Sequence, residues 1–582
     1  MKTKLKLESI PEKTRLQFLA VAVGLLCGFA AVLLKKLIEL IQTALVSWFE
    51  TPSDSFFYLL YPGVGMLLSL LFVRLLVKDD IGHGVTKVLL ALSRNESRIK
   101  PHNTWSSIFA SALTIGFGGS VGAEAPIVYS GAAIGSNIGR KAGLSYRNVT
   151  ILLGCGAAAA IAGIFKAPLA GVLFALEILF FNVSMSSILP LLISSITATV
   201  VTYLFLGRTV AFPNATETFR MMNIFFYLVL GLFCGIMSLY FIRMTLKAED
   251  AFRRMKNVWV RWAVCATSLG LLIFLFPPLF GEGYGALSSL LNNSPGEIAG
   301  GLFHETFSNP WLFLLFAVCL LLFKVIATAL TNAGGGVGGT FGPTLVSGGI
   351  AGFVVARLIN LSGVWAVPEA NFVLAGMAGM MAGVMQAPMT AIFLIAEITG
   401  GYEMLIPLII TSVSSFATIR IREPYSIYTK RIAARGDLLT HDSDSAVLTL
   451  LKTSELIEDD FIPVNISGNL GDLVKAISKS HRTLFPVLDD AGHFCGLITL
   501  DDVRDIMFDR EKYDKVSIIS LVRSAPAFAY DDDKMQSVVE KLERTGAWNL
   551  PVVDVENRYL GFISKSKVFT SYRTQLKQVS HE

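Results

Sequence analysis

Charge is what this chain lacks most. Asp, Glu, Lys and Arg make up only 16% of its 582 residues, while 53% are hydrophobic. A soluble globular domain carries about a quarter charged residues, so a wholly soluble protein is excluded, as a mean hydropathy of +0.59 also requires. Cysteine is scarce and scattered: Cys27, Cys155, Cys234, Cys265, Cys319 and Cys495, five of them in apolar stretches. Their spacing fits neither a metal site nor a disulfide framework, and they read as buried free thiols. An intramembrane enzyme would need a nucleophile–base pair or metal ligands, and neither is visible. The apolar run 18–34 is long for a secretory leader and lacks a small-residue cleavage site. The net charge of +5 is no sign of nucleic acid, because basic residues in a membrane protein gather in cytoplasmic loops.

Long apolar runs are what the chain does have. Residues 18–34, 57–73, 223–241, 262–280, 311–329 and 405–417 carry few or no charges. Several approach the roughly 20 residues that cross a bilayer core as a helix; the shorter ones call for broken or tilted helices. Lys2, Lys4, Lys6, Lys13 and Arg15 place the N-terminus in the cytoplasm by the positive-inside rule. After Lys430-Arg431 the sequence turns into ordinary soluble chain, with charges throughout and strand–helix alternation. The expected division is a cytoplasmic segment over 1–14, a membrane domain over 15–430, and two soluble modules over 431–510 and 511–582, the second including the tail.

Both parts repeat internally. Ala167-Pro168-Leu169-Ala170 leads to Glu177-Ile178, and Ala387-Pro388-Met389-Thr390 leads to Glu397-Ile398, an offset of 220. Upstream, Gly122-Ala-Glu-Ala-Pro126 and Gly339-Thr-Phe-Gly-Pro343 pair at an offset of 217. Two motif pairs at nearly one offset indicate two similar halves, which in transporters often have inverted topology with the substrate midway across the membrane. In the soluble part, Phe485-Pro-Val-Leu-Asp489 before Gly496–Val503 is echoed by Leu550-Pro-Val-Val-Asp554 before Gly561–Val568, each a strand, turn, strand and helix start.

Glycine-rich strings followed by proline carry the chemistry. At membrane depth, backbone polar groups must be paired or line a cavity. Glycine breaks the helix, proline suits the first turn of the next one, and the restarted helix aims unpaired N–H groups and a positive dipole end forward. An anion is the natural occupant. Three strings qualify: Gly82-His83-Gly84-Val85, Gly122–Pro126 and Gly339–Pro343. Several such N-termini converging would bind chloride without a full positive charge. Glu124 is an acid in an apolar setting, hence a functional candidate. Ionised, it can fill an anion site itself; protonated, it can leave, which suits a gate and a proton carrier. A water-exposed helix cap is the alternative.

Together these motifs resemble the CLC family of chloride channels and chloride/proton exchangers. GGSVGAEAPIVYSGAAIGSNIGR is similar to the family's GREGP segment, Gly339–Pro343 to its GxFxP motif, and APLAGVLFALE and APMTAIFLIAE to further family strings. The soluble repeats resemble a pair of CBS modules. The resemblance implies an all-α polytopic membrane protein, two inverted-topology halves of tilted and broken helices, followed by an α+β CBS pair. It also implies a homodimer in the lipid bilayer, a pore in each subunit, chloride as transported ligand, no required cofactor and no nucleic-acid partner. The expected location is the plasma membrane, or the inner membrane of a bacterium, with both termini cytoplasmic.

Carried over by position, Glu124 corresponds to the gating glutamate. The anion-binding set is His83, Gly84, Val85, Gly122, Ala123, Thr340, Phe341 and Tyr425, with Tyr428 as the substitute for Tyr425. His83 stands where the family has a serine; either its ring N–H or the backbone around it would meet the anion. Ala123 and Ala125 replace the usual Arg and Gly beside the glutamate. The internal proton-relay glutamate of the exchangers falls at Ile178, which cannot carry a proton. That favours a channel, with exchange as the alternative and a fluoride exporter kept open by His83. Glu177 and Glu397 are expected to cap or stabilise packed helices. In the CBS pair, Thr499-Leu-Asp-Asp502 fits a ribose-binding pattern for an adenine nucleotide, or else is structural, whereas Ser564-Lys-Ser-Lys567 lacks the acid. A CBS-regulated cation transporter is the reading from a different class; it would need acids lining the pore.

Overall fold

The structure is a computed structural model that describes residues 12–49, 57–94, 97–179, 185–208, 212, 219–292, 309–433 and 451–580. It forms two compact units, Met1–Leu438 and Leu439–Glu582. The expected N-terminal segment 1–14 lies mostly outside the described residues, and so does the junction between the units.

The first unit is helical. One half comprises α1 (Glu12–Phe49), α2 (Phe57–Phe72), α3 (Gly84–Arg94), α4 (Ser106–Gly116), α5 (Glu124–Lys141), α6 (Tyr146–Phe165), α7 (Pro168–Phe174, continued by a wider turn to Leu179) and α8 (Met185–Leu206). The other comprises α9 (Ile224–Arg253), α10 (Val258–Leu275), α11 (Tyr284–Leu291), α12 (Pro310–Ala333), α13 (Phe341–Leu361), α14 (Glu369–Met385), α15 (Pro388–Thr399) and α16 (Leu405–Arg420). A short α17 (Ile427–Ala433) follows. Among the described residues, eight helices are long and apolar enough to cross a membrane, and others are shorter. Exposed Leu, Ile, Val and Phe along α1, α8, α9 and α16 give the unit an apolar outer surface suited to lipid.

The repeat seen in sequence is a packing repeat. In the first half α5 lies against α6, and in the second α13 lies against α14. Each pair touches through backbone. A Cβ on Gly131 would stand 2.2 Å from the Gly156 carbonyl oxygen, and one on Gly156 1.9 Å from that of Gly131. The matching contact is Gly348 with Gly376, at 2.5 and 2.3 Å. These glycines sit at the same offsets, 217 and 220, as the motif strings. In a membrane, where lipid is as apolar as leucine, such small-residue faces let helices approach closely enough to gain packing energy.

Two polar devices join the halves. Gly122 and Gly339 exchange backbone hydrogen bonds of 2.9 and 2.8 Å, just before α5 and α13. At the other motif pair, each half caps the other. Glu177 accepts from the Met389 and Thr390 amides at 2.9 and 2.7 Å and from the Thr390 hydroxyl at 2.6 Å. Glu397 accepts from the Leu169 and Ala170 amides at 3.0 and 2.9 Å. Those N–H groups open helices that begin with proline, so they have no partner within their own helix. The capping role expected for both glutamates is what the fold shows.

The second unit holds two three-stranded sheets. β1 (Val464–Asn465), β2 (Leu484–Leu488) and β3 (Phe494–Thr499) form one; β4 (Ala529–Tyr530), β5 (Asn549–Val553) and β6 (Tyr559–Ser564) form the other. In each, the first strand is parallel and the third antiparallel to the middle one, with Val487 opposite Gly496 and Val552 opposite Gly561. The modules share an aromatic cluster of Phe461, Phe494, Tyr559 and Phe562.

Removing one reciprocal cap tests how firmly it ties the halves. Glu177→Ala strands two amides and one hydroxyl, which costs about 1–3 kcal/mol for an unsatisfied buried group. The full-length protein in detergent is expected to melt at a lower temperature, and Glu177→Gln, which keeps an acceptor, to fall between. An unchanged melting curve for the alanine variant would show that the cap contributes nothing.

Candidate functional site

Three helix starts meet where the two halves join, and α17 adds a side chain to them. Gly84, at the start of α3, packs so closely on α5 that a Cβ there would stand 2.2 Å from the Ala125 carbonyl oxygen. The Gly122–Gly339 backbone pair sets α5 beside α13. α17 packs on α3 and brings Tyr428 beside Thr340, the residue that precedes α13. First-turn amides have no acceptor inside their own helix, so the joint concentrates N–H groups and positive dipole ends. The walls are apolar: Val85 and Phe341 are buried, and the Phe341 ring packs on Phe165 and Phe174 at 5.5 and 6.3 Å.

Glu124 sits in this joint, 1% exposed. Its carboxylate accepts from the Gly342 amide at 3.2 Å, across the halves, and from the Tyr284 hydroxyl at 2.6 Å. It therefore takes up an amide in the first turn of α13. Two buried hydroxyls, Thr340 Oγ1 and Tyr428 OH, lie beside each other nearby. A buried hydroxyl needs a partner, and here the two stand within reach of each other at the start of α13.

Several expected site residues are placed differently. Tyr425 lies in the bend before α17 and is 40% exposed, whereas Tyr428 is buried on the same face as Ile432. The helical period selects Tyr428, so the tyrosine at the joint is the substitute candidate. The Gly122 amide is spent on the Gly339 carbonyl and the Ala123 amide on Glu282 Oε1 at 3.0 Å, so both already have acceptors. The His83 ring points to Glu249 Oε2 at 3.6 Å, with its backbone in the left-handed region at φ 55°. Glu249, itself buried, is held by Arg431 of α17 through bonds of 2.6 and 2.8 Å. His83 thus lies beside the Glu249–Arg431 ion pair that ties α9 to α17. Gly84, Val85, Thr340 and Phe341 remain at helix starts as expected. Ile178 is buried in the wide turn beside Glu177.

Sequence reasoning missed Glu282 and Tyr284. The signal was available: Gly281-Glu282-Gly283-Tyr284 precedes α11 as Gly82-His83-Gly84-Val85 precedes α3, so the two strings occupy equivalent places in the two halves.

In the second unit, the Thr499 amide and hydroxyl donate to Asp502 at 2.9 and 2.7 Å, forming a capping box at the start of a single helical turn, α18 (Leu500–Val503). Arg523 pairs with the same carboxylate. Among the described residues there is no cluster of His, Cys, Asp or Glu able to hold a metal ion.

Comparisons with known proteins accord with this architecture. A family profile described as voltage gated chloride channel matches residues 64–420, and the CBS domain profile matches residues 454–509 and 518–573. The chloride channel protein CLC-e of Arabidopsis thaliana is 27% identical over 566 residues, spanning 85% of this chain and 76% of that protein. The H(+)/Cl(-) exchange transporter ClcA of Vibrio cholerae is 26% identical over 441 residues, spanning 71% and 88%. The crystal structure of a slow cyanobacterial Cl-/H+ antiporter shares the fold, with a TM-score of 0.63 at 23% identity over 73% of this chain and 99% of that one.

The geometry separates three side chains by one measurement, chloride binding to the detergent-solubilised protein followed by calorimetry. Tyr428→Phe removes a buried hydroxyl donor and is expected to weaken binding about tenfold, the equivalent of one good hydrogen bond. Tyr425→Phe and His83→Ala are expected to bind as the parent does. A loss confined to Tyr425→Phe would reassign the site tyrosine, and a loss with His83→Ala would bring its ring back to the anion.

Proposed function

The chain belongs to the voltage-gated chloride channel family, and from that premise we propose that it moves chloride and similar small anions across the membrane, gated by Glu124. The observation that carries the reading is Glu124 on the Gly342 amide, beside the buried hydroxyls of Thr340 and Tyr428. A carboxylate there competes with a transported anion for the same donors; protonation or displacement frees them. The amides of Gly84, Val85, Thr340 and Phe341 supply the remaining polar lining, in a site that needs no fixed positive charge. Donor N–H and O–H groups are the wrong chemistry for a cation.

The subunit works as one of a homodimer, each with its own pore, in the plasma membrane or a bacterial inner membrane. The N-terminus and the soluble unit are cytoplasmic. Arg243, Lys247, Arg253, Arg254 and Lys256 make the end of α9 and the link to α10 basic, so that end is cytoplasmic by the positive-inside rule. The link from α10 to α11, with Glu282, is then on the outer side.

Passive conduction is the favoured mode. Ile178 cannot hold a proton, and the neighbouring Glu177 is engaged by Met389 and Thr390. Proton-coupled exchange is the second reading, because a relative spanning most of this chain is described as an exchange transporter. Fluoride export is the third reading, kept open by His83 in place of the family's serine. The CBS pair is regulatory, with an adenine nucleotide as its ligand; that nucleotide would have to displace Arg523 to reach Asp502.

Chloride flux from proteoliposomes, with simultaneous recording of external pH, tests function and mode together. Chloride flux without coupled proton movement is expected. Proton movement against its own gradient in fixed ratio to chloride would establish exchange instead. In Glu124→Gln the maximal rate is expected to lose its pH dependence while flux persists; an unaltered pH profile of the rate would remove Glu124 from the gate.

A further inference from the structure

The mechanism so far uses one carboxylate, yet the joint holds two. Glu282 is half-buried in the link before α11 and reaches Ala123, 159 residues away in sequence, to accept its amide at 3.0 Å. That amide belongs to the residue preceding α5, whose own side chain supplies no cap. The arrangement repeats the one at α13, where Glu124 accepts the Gly342 amide at 3.2 Å. Each of the two facing helix starts is therefore filled by a carboxylate from elsewhere in the fold.

The surroundings show that Glu282 is held for this position. Lys324 of α12, fully buried, donates to the Gly281 carbonyl at 3.0 Å and to the Ser120 hydroxyl at 2.8 Å. One ammonium thus fixes both the segment that carries Glu282 and the segment that leads into Ala123. Two residues on, Tyr284 donates to Glu124 at 2.6 Å, so a single short stretch contacts both carboxylates. The charged and titratable groups that face Glu282 are Glu124 from α5, Lys35 from α1, Lys324 from α12 and Tyr284 from α11. Glu282 is half-buried, whereas Glu124 is 1% exposed, so an anion coming from the outer side meets Glu282 first.

We propose that Glu282 is a second gating carboxylate, one that occupies the Ala123 amide at the outer mouth so that an entering anion must displace it before it reaches Glu124. This rests on the anion-transport reading above. A purely structural cap would hold the amide equally well as a neutral amide side chain; a gate requires the negative charge, which repels and competes with the anion. The competition is strongest when Glu282 is ionised, so the external chloride concentration at half-maximal flux rises with external pH.

The test is chloride flux from full-length protein in proteoliposomes, with half-saturating external chloride measured at several external pH values. A Glu124→Gln background removes the first carboxylate, and Glu282→Gln is then added. Its side-chain oxygen can still accept the Ala123 N–H, so folding is preserved. The expected result is a half-saturating chloride that still rises with pH in Glu124→Gln, and that becomes pH-independent and about tenfold lower at neutral pH in the double variant, the scale of one charge-assisted hydrogen bond. Glu282→Asp, which keeps the charge, is expected to keep the pH dependence. Identical saturation curves for Glu124→Gln and the double variant overturn the proposal while leaving anion transport intact. Absence of chloride flux from the unmodified protein overturns the transport reading and this proposal with it.

Discussion

Two backbone hydrogen bonds between Gly122 and Gly339 set the terms for the rest of the membrane unit. A helix broken inside an apolar slab leaves amides with no water to pair with, and the fold breaks two helices at the same depth, one in each half. Pairing the two breaks satisfies one amide from each and leaves the first-turn amides of α5 and α13 to be filled by other groups. Glu282 and Glu124 fill one each. The joint is therefore polar by necessity: the same missing acceptors that make broken helices costly make the place attractive to a negative charge.

The reciprocal caps apply the same rule away from the pore. Helices α7 and α15 begin with proline and open unpaired amides, and each is closed by the terminal glutamate of the other, Glu397 and Glu177. A single unit would have to find its own acceptor for each helix start. Two copies related by a pseudo-twofold can exchange acceptors, so duplication solves a polar problem as well as a packing one. The glycine contacts, Gly131 with Gly156 and Gly348 with Gly376, show the packing side of that symmetry.

What was legible in the sequence was whatever a local string fixes. Apolar length gave the membrane helices, and the Gly-Pro strings gave helix restarts and the position of Glu124. Equal offsets revealed two halves, and the strand–turn–strand echo gave the CBS pair. What escaped depended on long-range partners or on helical phase. Gly122 looks like a free amide until Gly339 is placed opposite it. His83 looks like a pore donor until Glu249, 166 positions further on (249 − 83), takes its ring. Tyr425 and Tyr428 both suit a site tyrosine by composition; only the start of α17 at Ile427 decides which of them faces inward. Glu282 was readable in principle, since its GEGY string echoes GHGV, but the echo keeps only the two glycines and replaces a histidine with an acid.

That replacement separates the two ends of the pathway chemically. The two strings stand at equivalent places in the halves, but His83 turns to a buried carboxylate on α9, while Glu282 turns to an amide at the joint. On the side of α3 the charges beside the helix start are paired, Glu249 with Arg431 and Asp80 with Lys87. On the side of α11 a carboxylate holds the Ala123 amide. Two halves with one backbone plan thus carry unlike side chains at equivalent helix starts, a histidine beside a buried ion pair in one and a carboxylate on an amide in the other. The echo keeps the two glycines and changes both other residues, His83 to Glu282 and Val85 to Tyr284, so similar backbones carry different chemistry. The titratable groups differ as well: the residue after Glu177 is Ile178, with no proton to carry, whereas Glu124 and Glu282 each hold an amide at a helix start of the joint.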